Sequence, residues 1–269
     1  MVDPVRRLTV DDEPALTALL EQAPVVNLFL RGFLAAHPVD RGWWYGVGRV
    51  RAAVLVVPAR VAVPFAPDPS DAAQLGRHLR EQHATTLLVG PRAACDALYR
   101  AWAPAVPPTR VHDQRLYVLA GEAAGPITEP EGFRVARPED APLVSVEAAR
   151  MELEDLGTDP RRDAARHEKA VRERIRSGRT FVIERRGELV FQVNVGTQHP
   201  DGCQLGGTWV PPEHRRGGLA TLGVAATCRR LLRSAPRVTL HVNESNTGAV
   251  RVYEKVGFTR DEAFRLLVP

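Results

Sequence analysis

Between Val210 and Leu232 the chain reads VPPEHRRGGLATLGVAATCRRLL: two prolines, a basic run His214-Arg215-Arg216, a glycine pair, then no charge until Arg229 and Arg230. A helix starting near the glycines leaves backbone N–H groups without partners and carries partial positive charge there. Glycine lets a bulky anion approach that backbone. Together these features can cradle phosphate or pyrophosphate, with Arg215 and Arg216 adding charge-assisted donors. A flexible turn solvated by its arginines accounts for the same spacing equally well. The stretch lacks the Gly-Lys-Ser/Thr ending of a Walker loop and the three-glycine dinucleotide pattern.

Other reactive residue types point to less. Cys95, Cys203 and Cys228 lie far apart with no CxxC pair, which argues against a disulfide framework or a zinc site. Cys203 and Cys228 sit in apolar stretches and read as small buried hydrophobes, and neither has a paired histidine to make it a nucleophile. His241, alternating within TLHVN, reads as a structural partner, and Trp43, Trp44 and Tyr45 read as packing residues.

Composition sets the frame. A chain of 269 residues suffices for one large domain or two modest ones. The formal charge of +4 comes almost wholly from scattered arginines, with lysine only at 169 and 255, and no basic run interleaves with aromatics. Nucleic acid is therefore not an expected partner. No stretch approaches a membrane span in length, and the first residues lack a signal-peptide core. These features predict a soluble, reduced, cytoplasmic protein.

The elements that must position the glycine loop come in two sets. AGEAAGPITEPEG, 120–132, has no apolar periodicity and reads as a connection. The sequence after it echoes the start of the chain. VRRLTVDDEPALTALL begins at Val5 and FRVARPEDAPLVSVEA at Phe133, so that Arg6 meets Arg134, Asp12 meets Asp140 and Pro14 meets Pro142 at an offset of 128 (134 − 6). Both copies predict a short strand, an acidic turn and a helix. The expected organisation is residues 1–120, a linker at 121–132, and 133–269. In the second part the pattern predicts two helices ending at Gly178, a hairpin turning at Arg186-Gly187, a strand GCQLGGTWVPP, the helix after the glycines, a strand RVTLHVN, a short helix and a last strand.

Taken in order, WVPPEHRRGGLAT resembles the acyl-CoA signature of the GNAT acetyltransferase superfamily, Arg/Gln-x-x-Gly-x-Gly/Ala, here Arg215, Gly218 and Ala220 after a strand ending in Val-Pro. Downstream, NESNTGAVRVYEKVGF is similar to the family's second signature, with Asn246, Ala249, Tyr253 and Gly257-Phe258 in order. The resemblance covers 133–269. The first half lacks both signatures and looks like a degenerate copy, an arrangement similar to that of mycothiol synthase-like two-copy proteins.

The resemblance implies an α/β (α+β) fold of two tandem GNAT-like domains, each with a mixed, mostly antiparallel central sheet flanked by helices. It implies an N-acetyltransferase that uses acetyl-CoA as cosubstrate and a primary amine as acceptor, acting as a monomer or homodimer. The N–H groups of Arg216, Gly217, Gly218, Leu219, Ala220 and Thr221 would hold the pyrophosphate. The strand edge Thr208, Trp209 and Val210 would pair with the pantetheine arm, and Asn246 would contact that arm or cap its helix. Tyr253 occupies the position of the acid that protonates the departing thiolate. No carboxylate stands in CQLGGTWV, where the family often places its base, and Gln204 can only position a water. The family layout brings forward Glu152, Glu154 and Asp155 instead, with Glu154 taken as the candidate; Glu184 reads as an ordinary hairpin charge. A non-catalytic acyl-CoA-binding sensor or interaction module is the competing class.

Overall fold

A computed structural model describes the chain except residues 1–2, 42, 58–60, 83–86, 104, 124–127 and 158. The middle of the expected linker falls in that gap.

The first half runs β1 (Val5–Arg7), α1 (Glu13–Glu21), α2 (Leu28–Ala36), β2 (Trp43–Val47), β3 (Ala53–Val57), β4 (Val61–Phe65), α3 (Pro69–Gln82), β5 (Leu87–Pro91), α4 (Arg92–Trp102) and β6 (Arg110–Ala120). The second repeats that order: β7 (Phe133–Val135), α5 (Ala141–Leu156), α6 (Ala164–Arg176), β8 (Thr180–Arg185), β9 (Glu188–His199), β10 (Gly202–Trp209), α7 (Leu219–Leu231), β11 (Arg237–Asn243), α8 (Thr247–Val256) and β12 (Thr259–Val268). The duplicated residues do the same work in each copy. Arg6 forms a bidentate pair with Asp12 at 2.7 and 2.5 Å, and Arg134 does so with Asp140 at 2.5 and 2.8 Å. Each aspartate also accepts the backbone N–H three residues earlier, of Thr9 or Arg137, and so caps the turn that enters the helix.

The compact units do not coincide with the two halves of the chain. One comprises 1–117, 241–246 and 260–269; the other comprises 118–240 and 247–259. In the first, β1 to β4 are joined antiparallel, β4 and β5 run parallel (Val61 beside Leu87), and β12 pairs antiparallel with β5 (Phe264 beside Pro91). Its core packs Leu16, Leu20, Trp44 and Leu55 on one side of the sheet, and Val54, Leu75, Leu88 and Leu98 on the other. Trp44 and Tyr45 are buried as expected, whereas Trp43 is exposed under the Arg7 guanidinium, 4.9 Å from its ring.

In the second unit β7, β8, β9 and β10 are joined antiparallel, and β10 runs parallel to β11. Val144, Val171, Ile175 and Val182 close one face. On the other, α7 lies so close to β9 that Gly223 abuts the ring of Phe191. The hairpin turns where expected, with Arg186 at φ +53° and Gly187 at +82°. The Glu184 side chain has more to do than the sequence suggests: it accepts from Arg134 at 3.0 Å and from the Gly187 N–H at 3.2 Å.

Candidate active site

The glycine loop has left-handed backbone and open space over it. Arg216 and Gly218 both have left-handed backbone, φ +69° and +78°, with Gly217 between them. Residues alternating in this way turn successive N–H groups toward one point. Gly218 is the residue before α7, and a Cβ there or on Gly217 would meet nothing closer than 3.9 Å, so the space over the loop is open. Among the described residues, the N–H groups of Arg216 to Thr221 meet no backbone acceptor; the first helical bond runs from Leu222 to the Gly218 carbonyl.

At the corresponding point of the first unit, the start of α3, the loop is closed. Asp68 accepts the Ser70 N–H at 2.8 Å, and buried Asp71 is gripped by Arg51 at 2.8 and 2.8 Å. Two carboxylates stand where an incoming phosphate would need donors, and they would repel it.

Arg215 has its own partners. Its guanidinium lies 4.7 Å from the Trp209 ring centre, Nε donates to the Val210 carbonyl at 3.0 Å, and Nη2 donates to Glu154 at 3.0 Å. Trp209 is buried and donates Nε1–H to Glu147 at 2.8 Å. Arg150 bridges Glu147 and Glu213, all at 2.9 Å, and holds the Glu213 carboxyl down to about 2. Glu147, Arg150 and Glu154 follow one another at helical spacing on α5, so one stripe of that helix clamps the loop between β10 and α7. Of this stripe only Glu154 was singled out in the sequence, although the i, i+3, i+7 charge pattern was there to be read.

The strand β10 changes character at its end. Its ladder with β11 covers Cys203 to Leu205, and its register with β9 shifts between Gly206 and Trp209. Gly207, at φ +61°, makes the shift possible, and a side chain there would come within 2.6 Å of Asn194 Nδ2. The Gly-Gly pair in a strand is a bulge signal. Thr208 follows the bulge and lies beside Tyr253 of α8, close enough to act on its phenol. Burial pushes the Tyr253 phenol up from its ordinary value, while Thr208 opposes the shift. The phenol is thus a neutral donor at neutral pH, set against the strand edge.

Of the remaining candidates, Glu152 lines a cleft beside the bulge and Asp155 lies near enough to Tyr253 to raise its pKa. Asn246 belongs to the first compact unit, where its N–H donates to the Asn243 carbonyl at 2.9 Å. His214 pairs with Glu188 at 3.3 Å. His241 packs 4.1 Å from the Phe264 ring, and Cys95, Cys203 and Cys228 are buried thiols whose pKa burial raises.

Residues 186–266 match the family model described as FR47-like protein. A mycothiol acetyltransferase of Thermobispora bispora is 39% identical over 88 residues, a match that covers 30% of this chain and 30% of that protein. Among solved structures, a GCN5-related N-acetyltransferase from Sphaerobacter thermophilus superposes with a TM-score of 0.63 at 18% identity, over 98% of this chain and 94% of that one. A tandem GNAT protein from the clavulanic acid biosynthesis pathway superposes with a TM-score of 0.56 at 18% identity, over 98% and 97%. The chain thus has the fold of these tandem and GCN5-related acetyltransferases along almost its whole length, and the FR47-like match lies within its second half.

Proposed function

We propose that the protein is an acetyl-CoA-dependent N-acetyltransferase that moves an acetyl group to a primary amine by direct attack. Acetyl-CoA would supply the thioester: the C–N bond forms, the C–S bond breaks, the amine gives up a proton and the sulfur gains one. The chain offers a group for each need. The open N–H groups of Arg216 to Thr221 suit a pyrophosphate, and their left-handed alternation aims them together. The end of β10, from Thr208 to Val210, offers backbone to a strand-like pantetheine arm. Tyr253 would protonate the leaving sulfur, and its raised pKa keeps that proton in place until the thiolate forms.

The proton from the amine needs an acceptor, because an alkylammonium near pKa 10 is mostly charged at neutral pH. Glu154 fills that role in this reading, released when Arg215 turns from it toward a phosphate.

The observation that carries the proposal is the place of buried Tyr253 beside Thr208: the candidate acid lies at the strand edge where the thioester arm would lie. Pure cofactor binding needs no such donor. The test is calorimetric titration of acetyl-CoA into CoA-free full-length protein, paired with thiol release in the presence of amines. One site per chain with amine-dependent thiol release supports the reading. Two sites would mean that the first unit also binds, despite Asp68 and Asp71. No binding at millimolar concentration would sink it.

A further inference from the structure

A cleft of about 480 Å³ opens in the second unit beside the β10 bulge. Three glycines make room for it: Gly196 on β9, and Gly206 and Gly207 on β10. A Cβ on Gly206 would meet nothing within 4 Å and one on Gly196 would come no closer than 3.9 Å, so the floor there is bare backbone. Met151 and Val195 give it apolar wall, and buried Asn194, whose Oδ1 is taken by Thr180 at 2.9 Å, turns Nδ2 toward the bulge.

Among the described residues, two charged side chains of the cleft have no opposite charge of their own, unlike the arginines that brace the unit. Arg134, Arg150, Arg172, Arg215 and Arg230 are all paired with carboxylates. Arg179, at the head of β8, and Glu152, on the last turns of α5, line the cleft and have no ion-pair partner among the described residues. Arg174 adds a second guanidinium from the end of α6. One unpaired cation and one unpaired anion in a half-enclosed space are complementary to a ligand carrying both charges. The planar guanidinium fork matches a carboxylate, and the glutamate matches an ammonium.

We propose that this cleft selects a free α-amino acid as acceptor, with Arg179 holding the carboxylate and Glu152 the amine. The inference rests on the acetyltransferase reading, since it names the acceptor of that reaction. The cleft volume falls in the range of small-ligand sites, and Met151 and Val195 favour an apolar side chain.

The test titrates L-methionine, L-leucine and L-phenylalanine into the full-length protein with and without CoA, each against its decarboxylated amine: 3-(methylthio)propylamine, isoamylamine and phenethylamine. The amino acids are expected to bind at least ~10-fold more tightly than their amines, a difference of about 1.4 kcal/mol. Arg179→Gln should bring that ratio toward one, and Glu152→Gln should weaken both members of each pair. Equal or tighter binding of the amines, or no binding of any amino acid, overturns the inference. Failure of CoA itself to bind overturns the acetyltransferase reading and leaves the amino-acid comparison to be judged on its own.

Discussion

Arg215 and Glu154 hold each other, Nη2 to Oε2 at 3.0 Å, while the same guanidinium stacks on Trp209 and donates to the Val210 carbonyl. The residue chosen for phosphate and the residue chosen for the amine's proton therefore neutralise one another in the free chain. Their side chains are 39% and 49% exposed, so the pair itself is worth no more than ~1 kcal/mol of stability. Glu154→Gln should leave thermal stability nearly unchanged and leave acetyl-CoA affinity equal or tighter, because Arg215 is freed. Turnover should fall at least ~10-fold if Glu154 accepts the proton. Unchanged turnover with unchanged affinity would remove Glu154 from the chemistry.

Tyr253 separates binding from chemistry. Tyr253→Phe keeps the ring that packs 5.8 Å from Phe258 and removes only the hydroxyl, which lies beside Thr208. Turnover should drop roughly 100-fold, within the usual range for a lost general acid. The acetyl-CoA dissociation constant should move less than about threefold, under 1 kcal/mol. The phenol pKa is raised, so wild-type turnover should show no loss from tyrosine ionisation below about pH 10. A wild-type profile falling between pH 8 and 9 would argue against Tyr253 as the acid.

Gly223 sets how closely α7 can lie on β9. A Cβ there would fall 2.5 to 2.7 Å from three ring carbons of Phe191, which is fully buried. Alanine favours an isolated helix by ~1 kcal/mol over glycine, but overpacking a tight core costs ~1–3 kcal/mol. Gly223→Ala should therefore be destabilising, with a lower urea midpoint and an unchanged slope. Adding Phe191→Leu should recover part of the loss. An alanine variant as stable as wild type would mean that the helix can lift without cost.

What could be read from the sequence was what repeats locally. The 128-residue offset marked Arg6 with Arg134 and Asp12 with Asp140 as equivalent positions; that each arginine grips the aspartate six residues on came from the structure. The glycine loop was legible because its backbone conformation is carried by Gly217, Gly218 and their immediate neighbours. The clamp of Trp209, Glu147, Arg150 and Glu213 was not, since it joins α5 to a loop some 60 positions away through side chains ordinary in type. Nor was the place of β12, whose pairing with β5 in the first compact unit is a non-local register that no periodicity encodes. The cleft residue Arg179 is one arginine among many in the sequence, and only its place in the folded cleft, without a carboxylate partner among the described residues, sets it apart.

The Arg134–Asp140 pair gives a prediction in pH. Asp140 is buried, and its carboxyl is held below the ordinary range first by the Arg134 hydrogen bonds and then by the Arg137 N–H, against the cost of burial. A group whose folded pKa is depressed stabilises the fold above its unfolded value and loses that contribution as pH falls through the folded one. The stability contributed by Asp140 should thus be complete above about pH 5 and decline below about pH 4. Asp140→Asn should cost ~1–3 kcal/mol at neutral pH, the range for losing charge-assisted hydrogen bonds to a buried group. The figure belongs toward the lower end, because Arg134 keeps Glu184 at 3.0 Å. The difference between variant and wild type should shrink as pH drops, since protonation removes the same charge from the wild-type carboxyl. Urea unfolding at pH 7, 5 and 3.5 measures it. A difference independent of pH would mean that Asp140 contributes by shape and neutral hydrogen bonding, and that its charge does not matter.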